Sequence, residues 1–265
     1  MRHFTFLFVI SFFLGSCCFQ CRPEMPSNAP TEVELHLTYV QLNKRLTMEV
    51  GDTELTFGTW SAGGVCVENA PGGCFVLTAN HLCDSSLEEV LGEAPPGYGF
   101  SPAFDFSFKG TTILGEGGDA WVVSQDPTSD LCLVWVEGEF FDEVPAIANE
   151  NLIENFAFLQ NWGSPYGYFN SYPDWSLLLF EGYWGGWCQE FCQLPGIEDT
   201  SNFFMHSIPT SRGQSGSAIF LDGALFGIQV ASNLNIESFG IAARPSIINE
   251  FLLENNIQKV IYDSH

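Results

Sequence analysis

Short apolar runs whose large side chains alternate with polar ones dominate this sequence and constrain it to an all-β fold. Val33, Leu35, Leu37 and Tyr39 share one side of such a run. Further strand-like runs cover 64–68, 74–78, 131–136, 156–160, 176–180, 218–221 and 224–230, separated by Gly, Pro and Asn/Asp clusters that read as turns. No internal repeat or low-complexity run interrupts them. One C-terminal segment breaks the period. Pro245-Ser246 opens a stretch with Ile247, Phe251 and Leu252 at i, i+4 and i+5, the spacing of an amphipathic helix with proline in its first turn. Many short strands and one closing helix predict a barrel or sandwich.

The N-terminus reads as a targeting segment. Residues 1–16 carry Arg2 and then a mostly apolar run of 11 residues from Phe4 to Leu14. That is too short for a bilayer, which takes about 20 apolar residues, and it suits a signal peptide. Leu14-Gly15-Ser16-Cys17 resembles the bacterial lipoprotein lipobox, which implies lipidation of Cys17 and attachment to a membrane surface; plain secretion is the alternative. Residues 17–31 include a proline-rich tether, leaving 32–265 as the folded unit.

Export bears on the cysteines. Of nine, six follow the tether: Cys66, Cys74, Cys83, Cys132, Cys188 and Cys192. An even set in an exported chain predicts disulfides, with 15 pairings open. The spacing lacks the paired CxxC motifs of a zinc site, so no metal is expected. Eight Lys+Arg against 32 Asp+Glu give a net charge of −24, which excludes a nucleic-acid partner because phosphates would be repelled.

Three stretches carry chemistry. Residues 74–83 form an apolar strand ending in His81. In 129–134, Asp130 opens an apolar strand. Residues 213–218 place Ser215 in a glycine-rich turn. A serine hydroxyl is a poor nucleophile until a base removes its proton. An imidazole suits that task, and a buried carboxylate fixes its tautomer and stabilises its cation. Glycines at 213 and 216 let the N–H groups of Gly213 and Ser215 converge on one developing oxyanion.

With these residues the sequence resembles the trypsin-like (chymotrypsin-fold) serine peptidases over about 58–257. "VLTANH" is similar to their histidine motif, "SDLCLV" to their aspartate strand and "GQSGSAIF" to their nucleophile turn. "ALFGIQVAS" is similar to their substrate-binding strand, and "FGIAARPSIINEFL" to their last strand and closing helix. The resemblance implies two six-stranded antiparallel β-barrels with a C-terminal helix and the site between the barrels. It implies His81 as base, Asp130 as orienting acid, Ser215 as nucleophile, and the Gly213 and Ser215 amides as oxyanion hole. Pro209, Thr210, Gln229, Val230, Ala231, Ser232 and Gly240 become substrate-binding positions. It implies a Cys66–Cys83 disulfide beside the histidine. Cys74–Cys132, on strands expected to be neighbours, and a local Cys188–Cys192 staple then follow.

The order His, Asp, Ser, with separations of 49 and 85 residues, disposes of an α/β-hydrolase, which runs Ser, acid, His. Gln214 stands where digestive members carry the aspartate that pairs with a newly cut N-terminus. The chain thus sits nearer bacterial, phage-type or Deg-like relatives, and Trp162-Gly163-Ser164-Pro165-Tyr166-Gly167 is similar to a Deg-type loop. The function expected is an exported serine endopeptidase acting on a protein or peptide substrate without a cofactor. A protease-like scaffold with an idle triad is the alternative. No acid matches the position that confers Arg/Lys preference, and His206 reads as structural.

Overall fold

A computed structural model of the chain describes residues 35–50, 53–84, 104–112, 118–140, 142–164, 177–188, 192, 194, 197, 199–232 and 239–262. The signal-peptide, tether and Cys17 expectations lie outside these residues.

The first six strands are β1 (Tyr39–Val50), β2 (Thr53–Ala70), β3 (Gly73–Ala79), β4 (Phe104–Thr112), β5 (Asp119–Asp126) and β6 (Leu131–Glu137). They close into a barrel in the order β1-β2-β3-β6-β5-β4, and every pairing is antiparallel. A four-residue helix, α1 (Asn80–Cys83), follows β3 directly.

The rest of the chain begins with β7 (Ile147–Ala148), β8 (Phe158–Gly163), β9 (Leu178–Trp187) and β10 (Phe203–His206). It continues through β11 (Ala218–Leu221), β12 (Ala224–Ser232), β13 (Gly240–Ala243), α2 (Pro245–Glu254) and β14 (Ile261–Tyr262). Strands β11-β8-β9-β10-β13-β12 form a second ring, closed by β11 against β12, and β7 and β14 add parallel strands beside β12. The two six-stranded antiparallel barrels and closing helix match the sequence expectation.

The period-2 pattern explains the packing. Cys74 and Val76 of β3 point into the first barrel with Cys132, Val134 and Val136 of β6. Their alternates Leu77, Leu131 and Leu133 join Phe203, Phe220, Ile228, Ile248, Phe251 and Leu252 in a cluster that includes both barrels and α2. A strand buried on both faces loses its polar alternation, so 131–136 reads as continuous apolar sequence. A third cluster with Leu159, Phe204, Ile219, Phe226 and Ala242 fills the second barrel. Arg244, which precedes α2, donates from Nε to Glu150 at 3.2 Å and lies 4.3 Å from the Trp187 ring centroid. Burial works against the Glu150 carboxylate, but hydrogen bonds from Arg244 and Ser246 outweigh it and hold its pKa below the ordinary value.

The disulfides correct two expectations. Cys66 pairs with Cys74 rather than Cys83, and Cys132 pairs with Cys83 rather than Cys74; Cys188–Cys192 is as expected. The register gives the reason. Cys66 faces Val76 across the β2–β3 hairpin and Cys74 lies two residues along, a diagonal separation of 6.0 Å between Cα atoms. That leaves Cys83 on α1 to meet Cys132, which sits opposite Thr78. Closing a loop across 49 residues contributes about 4 kcal/mol in the chain-entropy model, against about 2.5 kcal/mol across 8, so Cys83–Cys132 is the stronger staple.

Three strand expectations also shift. Leu35 to Thr38 forms a helical turn in which the Thr38 hydroxyl donates to Leu35 O at 2.7 Å, and strand begins only at Tyr39. Phe156 sits in a turn at φ +64°, so that strand starts at Phe158. The run at 176–180 becomes a strand from Leu178, with residue 176 outside the described region.

Candidate active site

Asp130 occupies the left-handed region at φ +50°, which aspartate tolerates better than most residues. From there it grips α1 in three ways. Its backbone oxygen accepts from Asn80 N at 2.9 Å, and its Oδ1 accepts from His81 N at 2.8 Å. Its Oδ2 lies 2.8 Å from His81 Nδ1. Gln125 Nε2 donates to Asn80 Oδ1 at 2.9 Å, and Cys83–Cys132 repeats the tie two residues beyond each partner. The carboxylate side chain is 10% exposed and the imidazole 48%, an arrangement of buried acid and accessible base.

The Ser215 turn docks directly on this barrel. Gly63 N on β2 donates to Ser215 O at 2.7 Å, and Thr78 Oγ1 on β3 donates to Gly63 O at 2.7 Å. On its other side Gly216 N donates to Gln229 O at 2.7 Å and Gln229 N to Ser217 O at 2.9 Å, zipping the turn to β12. Gln214, 1% exposed, takes Ser211 N and Ser211 Oγ on its side-chain oxygen, while Ser217 Oγ donates to its backbone oxygen. The turn is therefore held by its own glutamine, where the digestive pattern uses an aspartate.

Gly216 is the tightest position. It sits at φ +78°, and a Cβ there would lie 2.1 Å from Thr78 Oγ1, 2.2 Å from Gly63 O and 3.0 Å from Ala79 N. Backbone cannot yield as a flexible side chain can. Gly216→Ala is expected to destabilise by about 3 kcal/mol or more, combining left-handed strain with the clash. Gly72→Ala, at φ +89° with nothing within 4 Å, isolates the backbone cost at about 1–2 kcal/mol. Denaturant midpoints of the two variants read the difference.

Ser215 thus lies against the end of the strand that leads, two residues on from Ala79, to His81. Among the described residues Ser215 Oγ makes no hydrogen bond, and neither the Gly213 nor the Ser215 amide donates to an acceptor of the chain. Gly213 is at φ +91°.

The substrate-binding positions fall on two strands and one loop. Pro209 is exposed and Thr210 half-buried on the loop before the nucleophile turn. Gln229, Val230, Ala231 and Ser232 lie on β12. A register irregularity falls between Gln229 and Ala231, and Ser232 pairs with Gly240. Sequence reading placed His206 in a structural role, yet it lies opposite Gly240 on β10 and is fully buried. Burial pushes its pKa down to about 4, with the neighbouring Gln229 side chain pulling weakly the other way. An unfolded histidine titrates near 6.5. Above that both states are neutral; between 6.5 and 4 only the unfolded chain takes the proton, so stability falls as pH drops, by up to about 3 kcal/mol. His206→Leu is expected to remove that part of the decline in melting temperature between pH 7 and 4.

No protein-family model matches the chain, and neither does any curated protein. Among solved structures it resembles Rv3671c from M. tuberculosis H37Rv, crystallised in an inactive form as a serine-to-alanine mutant. The TM-score is 0.56 at 12% identity, over 88% of this chain and 94% of that one. The fold is that of the chymotrypsin-like, two-barrel serine proteases.

Proposed function

We propose that this chain is an exported serine endopeptidase that hydrolyses peptide bonds through an acyl-enzyme. The observation that carries the reading is the grip of buried Asp130 on both the backbone N–H and the Nδ1 of His81, beside the glycine turn that bears Ser215. In this reading Asp130 keeps the proton on Nδ1, so Nε2 is the free base. Nε2 takes the Ser215 proton as Oγ attacks the carbonyl carbon, and the oxyanion is met by the unengaged amides of Gly213 and Ser215. The proton passes from Nε2 to the leaving amine as the C–N bond breaks, and water repeats the sequence on the ester. The Nε2–Oγ hydrogen bond forms with substrate in place, as catalytic hydrogen bonds often do.

Three disulfides support export, and among the described residues no helix is long and apolar enough to cross a membrane. Residues 1–16 act as signal peptide and Cys17 as the lipidated residue in this proposal. The self-held Gln214 turn supports a place nearer bacterial, phage-type or Deg-like members than zymogens. Incubation with an unstructured protein, with mass spectrometry of new N-termini, tests the activity. Fresh termini that vanish after fluorophosphonate treatment are expected; none from folded protein would favour the idle scaffold.

A further inference from the structure

His206 is anomalous for a core residue. It is 0% exposed, and neither Nδ1 nor Nε2 has a hydrogen-bond partner. A neutral imidazole carries one donor and one acceptor, and native structures rarely leave both orphaned without a compensating role. Its surroundings point to that role. A Cβ at Gly240 would lie 2.2 Å from Cε1 and 2.5 Å from Nε2 of His206, and 2.7 Å from Thr210 Cγ2. Glycine at 240 therefore leaves uncovered the ring edge that any side chain would occlude, beside Thr210. Gln229 cannot fill both needs with its amide, since Nε2 already donates to Ala231 O at 2.7 Å and to Ile241 O at 3.3 Å. Thr210, Gln229 and Gly240 are three of the positions assigned to substrate binding, and His206 lies among them.

We propose that His206 is the specificity-determining residue at the base of the substrate pocket, where its ring hydrogen-bonds the side-chain carboxamide of a glutamine preceding the bond cleaved. The inference rests on the peptidase reading and names its substrate class. A carboxamide offers both an acceptor and a donor, matching the two unmet ring nitrogens. Gly240, Thr210, Gln229 and the Phe204 ring, 5.9 Å away by centroid, carry no charge, so a carboxylate or an ammonium entering there would lose its water without an ionic partner. An aliphatic side chain would leave the ring unsatisfied. Chain length favours glutamine over asparagine for a group seated at the base.

The test is a set of peptides differing only in the residue before the scissile bond, with rates normalised to the fraction of Ser215 that a fluorophosphonate labels. The wild type is expected to cleave after glutamine about 10–100-fold better in kcat/KM than after leucine or glutamate. In His206→Leu the glutamine-to-leucine ratio should fall to about one or below. Its melting temperature at neutral pH should equal or exceed that of the wild type, because an unsatisfied buried ring has been replaced by an apolar group. A wild-type profile without glutamine preference overturns the assignment, as does a variant that keeps the preference or fails to fold. Absence of both labelling and cleavage in folded wild type would instead remove the peptidase reading itself, and this inference with it.

Discussion

Ser215→Ala is expected to lower kcat by about 10^4- to 10^6-fold while leaving the fold and substrate affinity in place. The serine is half-buried, and its backbone holds the turn: its oxygen accepts from Gly63 N, and its side chain bonds nothing. Alanine keeps the backbone bond and removes only the nucleophile. What survives is the rate that the oxyanion donors and binding supply to direct attack by water. Matched melting curves with unchanged KM would assign the loss to chemistry. A variant retaining more than a tenth of wild-type turnover would place the nucleophile elsewhere.

Asp130→Asn is the second large effect, and it isolates the carboxylate. Asparagine can still accept from His81 N through its carbonyl oxygen, so α1 stays anchored. The amide nitrogen then faces His81 Nδ1, where Oδ2 stood at 2.8 Å. That geometry selects the tautomer with the proton on Nε2, which cannot accept the Ser215 proton. A loss of about 10^4-fold in kcat at neutral pH is expected. Asp126→Asn offers a matched control: its Oδ1 accepts from Thr128 N at 3.0 Å, it takes no part in the His81 grip, and activity should hold within about twofold. Equal effects of the two changes would mean that Asp130 acts only through local turn structure.

The fold was legible where strands bury both faces. Residues 131–136 and 74–78 announce themselves because β6 and β3 serve a barrel interior on one side and the cluster shared by both barrels on the other. Strand β1 hid itself because it buries Gln41, Lys44 and Thr47, polar residues that a hydrophobic pattern discards. Gln41 is tolerated since its Nε2 reaches Ala62 O at 2.8 Å and its Oε1 accepts from Tyr39 OH at 3.0 Å, partners 21 and 2 residues away in sequence. Strands β7 and β14, two residues each, are too short to carry any period.

The candidate site was legible through its order and turn chemistry. His81 and Asp130 meet as the resemblance implied, and the glycine at 216 is required by the close approach of Gly63 and Thr78. The disulfides were not legible, because Cys66–Cys74 depends on a register no sequence pattern states. Nor was His206: an isolated histidine on a short strand looks structural until its empty nitrogens and its glycine neighbour are seen together.

The central claim is that His81 activates Ser215. Treating the folded protein with a fluorophosphonate and mapping the adduct by peptide mass spectrometry tests it most directly. The account predicts one adduct, on Ser215, whose formation slows at least 10^2-fold in His81→Ala. No adduct on folded wild type, an adduct on another residue, or Ser215 labelling indifferent to His81 would contradict it.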